Sequence, residues 1–128
     1  MHKLEKDIRK HLQRRKWDRL RPSDVAKSII IEAAELLELF QWESATIEET
    51  KRNREKFENL KEELADVLIY AIEMAVLLDI DTEKIIRKKL AAAKRKYPAR
   101  LFKNRGVQEP GTEDIYWKIK KKYREKGK

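Results

Sequence analysis

At 128 residues and without cysteine, the chain has the length of one domain and excludes both a disulfide framework and any thiolate metal site. Charged residues make up 43% of it and the net charge is +9, but the signs are partitioned. Residues 1–21 carry nine Lys/Arg and three acids, residues 22–80 six and fourteen, and residues 81–128 seventeen and six. No apolar run reaches the roughly 18–20 residues of a membrane span, and the opening MHKLEKDIRK holds no apolar signal-type core, so a cytoplasmic location is expected.

In chain order, Leu4, Ile8 and Leu12 recur every fourth residue and predict an amphipathic helix over 3–19. "RPSD" breaks it: Pro22 suits a first helical turn, with Ser23 or Asp24 as cap. A second helix, about Asp24 to Trp42, is apolar on nearly every side and is expected to be buried. "SATIEETKRNREKFENL" reads as a polar loop followed by the exposed first turns of a third helix, which runs on through "KEELADVLIYAIEMAVLLD". Asp81 or Thr82 then caps a fourth helix, about 83–96, which Pro98 stops. Beyond an irregular stretch, "EDIYWKIKKKYREK" predicts a short basic helix with Ile115, Ile119 and Tyr123 on one side. No strand alternation and no internal repeat is visible. The fold class is all-α.

The second and third helices each interrupt their apolar surface with paired acids. Glu32 and Glu35 are three residues apart and leave one face together, as do Glu63 and Asp66 in "EELAD". On antiparallel neighbouring helices, four such carboxylates face one another and repel, which a divalent cation or protonation relieves. An all-oxygen set suits Mg²⁺ or Mn²⁺, whereas zinc prefers His or Cys. The bland alternatives are solvated faces, or ion pairs to some of the 32 Lys/Arg residues. Glu73 reads as a structural ion-pair partner. A ferritin-like di-iron bundle needs Glu-x-x-His on facing helices, and the chain's two histidines, His2 and His11, both fall in the first helix.

A second functional class is a non-enzymatic helical module that meets nucleic acid through the basic ends. "WKIKKKY" interleaves aromatic and basic residues as such a patch requires, although a solvated tail has the same composition.

"EAAELLELFQW", "EELADVLIY" and "KKLAAAKRKYP", in that order, resemble the MazG-like all-α nucleoside triphosphate pyrophosphohydrolases, in particular their dCTP-pyrophosphatase-like branch, over about residues 17–98. The resemblance implies a four-helix bundle assembling as a dimer or dimer of dimers. It also implies Mg²⁺-dependent cleavage of an NTP or dNTP between the α- and β-phosphates, giving a monophosphate and pyrophosphate. The implied metal ligands are Glu32, Glu35, Glu63 and Asp66; one of Glu35 and Glu63 would activate water. Trp17, Trp42 and Tyr70 match positions that line the base and sugar pocket. Lys89 matches a phosphate-binding lysine, and the nearby Arg95 adds charge neutralisation. One position departs: Ala93 stands where relatives often have Asn. Residues 1–103 are then the hydrolase domain and 104–128 a basic C-terminal tail without a counterpart.

Overall fold

The computed structural model describes residues 2–102 and 115–127, and every statement below concerns those residues. They form six α-helices and one 3₁₀ turn, with no strand among them. They pack as two units divided between Thr82 and Glu83.

In the first unit, α1 (His2–Arg14) realises the Leu4-Ile8-Leu12 periodicity and buries Ile8 and Leu12. It ends five residues before the predicted stop, because Lys16 turns left-handed at φ 57°. The Trp17 N–H donates to the Leu12 carbonyl at 2.8 Å and the Lys16 N–H to that of Gln13 at 3.1 Å. That is a Schellman closure, made here without the usual glycine.

Helix α2 (Pro22–Glu38) starts with Pro22 in its first turn, as expected. The residue preceding the helix is Arg21, which makes no side-chain cap, so neither Ser23 nor Asp24 caps it. The helix stops at Glu38, leaving Phe40 and Trp42 in the turns that follow.

The expected third helix is two. Thr46 and Glu49 form a reciprocal capping box that starts the short α3 (Ile47–Arg52). Asn53 then leaves helical geometry, and its Oδ1 accepts from the Lys56 N–H at 3.2 Å to cap α4 (Arg54–Leu77). Helix α4 is the spine of this unit: α2 packs along it, and α1 and α3 also lie against it. Ile8 and Leu12 meet Ile72 and Val76 in the core, flanked by Leu77. A second Schellman closure, with Asp79 at φ 54°, ends α4. Arg9 binds this end. Its guanidinium donates to the Val76 carbonyl and pairs with the Asp79 carboxylate, both at 3.0 Å, where the helix dipole favours a cation.

The expected burial of the second helix is not met within one chain. Only Val25 is buried on α2, while Ile30, Ile31 and Leu37 are 69%, 58% and 63% exposed. The physical reason is arithmetic: an all-round apolar helix needs neighbours on every side, and α4 covers one.

The second unit comprises α5 (Thr82–Lys96, whose first residue closes the first unit), a 3₁₀ turn at Ala99–Leu101, and α6 (Ile115–Glu125). Pro98 ends α5 as predicted, with the Tyr97 N–H closing the last turn on the Ala93 carbonyl at 2.7 Å. Helix α6 matches the predicted basic helix, with Ile119 and Tyr123 half-buried. The Tyr97 and Tyr116 rings stack at 5.0 Å and 24°.

Candidate functional site

The i, i+3 spacing that sets Glu32 beside Glu35 on α2 and Glu63 beside Asp66 on α4 acts across the α2–α4 packing seam. Carboxylate oxygens of Glu32, Glu63 and Asp66 all lie within 4.8 Å of one another, a separation one divalent ion can bridge. Glu35 joins them, its carboxyl in hydrogen-bond contact with those of both Glu32 and Glu63. Among the described residues no Lys or Arg forms an ion pair with any of the four. No salt bridge to a described Lys or Arg accounts for these acids, and none of the described cations pairs with them to offset their mutual repulsion.

The consequences are visible on the individual groups. Partial burial between the helices raises the pKa of Glu32, and the contact with Glu35 and the charges of Glu35, Asp66 and Glu63 push it the same way. Glu63 is raised by burial first, then by the contact with Glu35 and the charges of Glu35, Asp66 and Glu62. One Glu63 oxygen, Oε2, is buried with no hydrogen-bond partner. An orphaned carboxylate oxygen facing other carboxylates fits a hard cation: the donor set is all oxygen and carries excess negative charge.

Tyr70 lies one helical turn beyond Asp66 on α4 and is half-buried. Burial raises its phenol, as do the charges of Glu73, Glu32 and Asp66, so its ring borders the acidic cluster. Trp17 is placed by the α1 closure, half exposed and edge-on to His11 at 6.1 Å. Trp42 is 89% exposed, so the described residues of one chain build no pocket around it. The loop carrying it is tied to α4 by Lys56, which pairs with Glu43 and sits 4.8 Å above the Phe40 ring.

Glu73 does not take the expected ion-pair role. It is 5% exposed and no Lys or Arg among the described residues pairs with it. Burial raises its pKa, opposed by the charge of His11.

Lys89 and Arg95 belong to the second unit, where they line a cleft of about 680 Å³ between α5 and α6. Ala93 lines the same cleft, as do Lys96, Tyr97, Tyr116 and Lys120. Those last four were not singled out as site residues from the sequence. The signal lay in the aromatic and basic interleaving of "KRKYP" and "YWKIKKKY".

Residues 27–109 match the model of the MazG-like family. The chain is 33% identical over 89 residues to mouse (Mus musculus) dCTP pyrophosphatase 1, covering 68% of this chain and 52% of that protein. It is 33% identical over 95 residues to the human (Homo sapiens) dCTP pyrophosphatase 1, covering 70% and 54%. It thus spans about half the length of the curated relatives it matches. Among solved structures, a pyrophosphatase from Archaeoglobus fulgidus superposes with a TM-score of 0.66 at 36% identity, covering 77% of this chain and 92% of the other.

Proposed function

This chain belongs to the MazG-like family, and on that premise we propose that it is a divalent-metal-dependent nucleotide pyrophosphohydrolase. Its substrate would be an NTP or dNTP, with dCTP-like nucleotides the first to test because the matched mammalian relatives are dCTP pyrophosphatases. Cleavage would fall between the α- and β-phosphates. The observation that carries this reading is the convergence of Glu32, Glu63 and Asp66 within 4.8 Å, unpaired with any described cation.

In this reading Glu32, Glu63 and Asp66 hold Mg²⁺ or Mn²⁺. Once bound, the ion supplies charge neutralisation at the phosphates and Lewis acidity at the reacting phosphorus. Phosphoryl substitution otherwise depends on positioning and charge, which the side chains provide. Of the two candidate bases, Glu35 is favoured over Glu63. It is exposed and, though in contact with Glu32 and Glu63, is not one of the mutually close trio, which leaves it to orient water and accept its proton. Tyr70, beside the acids, is assigned to the base and sugar, with Trp17 and Trp42 as further stacking surfaces. Lys89 and Arg95 are assigned to the departing pyrophosphate. Ala93 removes an amide that relatives often offer, which turns selectivity over to the aromatic side chains.

Assembly follows from the same helices. The uncovered Ile30 and Ile31, with Ala26 between them and the start of α2, form an apolar depression that a second copy of the chain would cover. We therefore assign a homo-oligomer, dimer or tetramer. Residues 1–103 are taken as the hydrolase domain and 104–128 as a basic extension. No helix among the described residues is long and apolar enough to cross a membrane, in keeping with the expected cytoplasmic location.

The test is a panel of NTPs and dNTPs incubated with Mg²⁺, Mn²⁺ or EDTA, quantifying monophosphate and pyrophosphate together. Equal yields of the two, abolished by EDTA and by Glu32→Ala or Asp66→Ala with helical content retained, are expected. Wild-type turnover in either variant, or orthophosphate as the released product, refutes the assignment.

A further inference from the structure

We propose that the cleft between α5 and α6 binds single-stranded nucleic acid, holding its phosphates on Lys96 and Lys120 together with Lys89 and Arg95, for which a nucleotide's phosphates would compete, and its bases on the Tyr97–Tyr116 stack. The cleft, at about 680 Å³, has a volume typical of ligand sites, and no acid among the described residues lines it. Its cations are positioned by aromatic faces instead of by carboxylates. The Lys96 ammonium sits 5.3 Å from the Tyr97 ring centre and 4.7 Å from that of Tyr123. The Lys120 ammonium sits 5.6 Å from Tyr116 and 5.1 Å from Trp117. Such contacts hold the lysine stems while leaving their charge uncancelled, so the lining keeps a net positive potential.

The same rings supply the stacking surface. Tyr97 and Tyr116 lie nearly parallel, and Trp117 stands edge-on to Tyr116 at 5.6 Å and 80°. Flat faces beside an unneutralised basic groove are the two parts that sequence-tolerant binding of single strands requires. Three observations favour a strand over other anions. Four lining cations already match one triphosphate, yet Lys118, Lys121, Lys122 and Arg124 continue exposed along α6, a track longer than one nucleotide uses. A membrane surface would need the apolar side of α6 free, whereas Ile119 and Tyr123 are half-buried and Tyr123 lines the cleft. Helix α6 also begins past residue 109, where the family match ends, so this wall of the cleft lies outside the matched region.

The experiment is fluorescence anisotropy of a labelled ten-nucleotide single strand with the full chain in EDTA, which takes the divalent ion out of the carboxylate site. Four phosphate contacts give a log–log salt slope near −2.8, so affinity should fall about 50-fold between 50 and 200 mM salt. Lys120→Gln should lower affinity and make the slope shallower by about 0.7. Tyr116→Ala should weaken binding about 5- to 150-fold at every salt concentration with the slope unchanged. Circular dichroism of both variants reports whether α6 persists. A slope near zero, or wild-type affinity in Lys120→Gln, overturns the proposal. So does a mononucleotide that competes as well as the strand at equal nucleotide concentration. Binding to anionic phospholipid vesicles but not to the strand would overturn it in favour of a lipid surface.

Discussion

If the acids of α2 and α4 are a cation site, the metal-free chain is strained by its own ligands, and removing one ligand should stabilise it. Glu63→Gln is the informative substitution. It keeps the shape of a side chain whose Oε2 is buried without a partner, and it removes one charge from a cluster whose oxygens lie within 4.8 Å. The sign follows from the raised pKa: the folded chain disfavours ionised Glu63 relative to the unfolded chain. The penalty grows as pH climbs from the ordinary 4.5 through that raised value, so at neutral pH the amide variant should melt higher than wild type in EDTA.

The ion reverses the order. A ligand at ten times its dissociation constant adds about 1.4 kcal/mol of stability. For a cooperative unit the size of residues 2–82, each kcal/mol raises Tm by about 4–8 °C, so the wild type should gain about 6–11 °C. Glu63→Gln should gain much less at the same Mn²⁺ or Mg²⁺ concentration. Differential scanning fluorimetry of both proteins across an ion titration gives both readings. An EDTA melting temperature in the variant below that of wild type, or equal ion-induced shifts in the two, refutes the reasoning.

Because Glu32 and Glu63 are both raised, protons compete with the ion at higher pH than at ordinary carboxylates; the apparent affinity measured by isothermal titration calorimetry should rise with pH above the ordinary 4.5. Glu73, buried and raised above its ordinary 4.5, makes stability fall as pH climbs from that value through its folded pKa. Glu73→Gln should flatten that fall, melting above wild type at pH 7 and with it at pH 4. Covering Ile30 and Ile31, 69% and 58% exposed, is worth about 1–2 kcal/mol per side chain; Ile30→Asp should therefore halve the mass seen by light scattering, and an unchanged mass refutes the interface. Lys16→Gly relieves a left-handed residue and should raise stability by about 0.5–1 kcal/mol in denaturant melts.

Periodicity and punctuation made most of the fold readable. Leu4, Ile8 and Leu12 placed the core face of α1, Pro22 and Pro98 marked real boundaries, and the two acid pairs pointed to the seam where they meet. The failures have separate causes. Lys16 and Asp79 occupy left-handed closures where the usual signal is Gly, so the end of α1 at Arg14 carried no mark. The α3–α4 break did carry one. Thr46-x-x-Glu49 is a capping-box pattern and Asn53 is a good cap, but the polar run around them hid the second start.

The misjudged burial of α2 has a different origin, and it bears on the site. An apolar periodicity states that a face is covered without saying by which chain; Ile30, Ile31 and Leu37 stay bare because one copy supplies α4 and nothing more on their side. Trp42 is in the same position: it leaves α2 with the turn after Glu38 and reaches 89% exposure. The four carboxylates needed only two helices of one chain and were therefore legible. The aromatic wall proposed around them is not closed by the described residues of one copy, where Trp42 is 89% exposed. Substrate selectivity should accordingly fall together with the oligomer: if Ile30→Asp yields a monomer, its KM for the preferred nucleotide should rise while the ion-induced shift in Tm persists. A monomer with unchanged KM would place the base-binding wall within one chain.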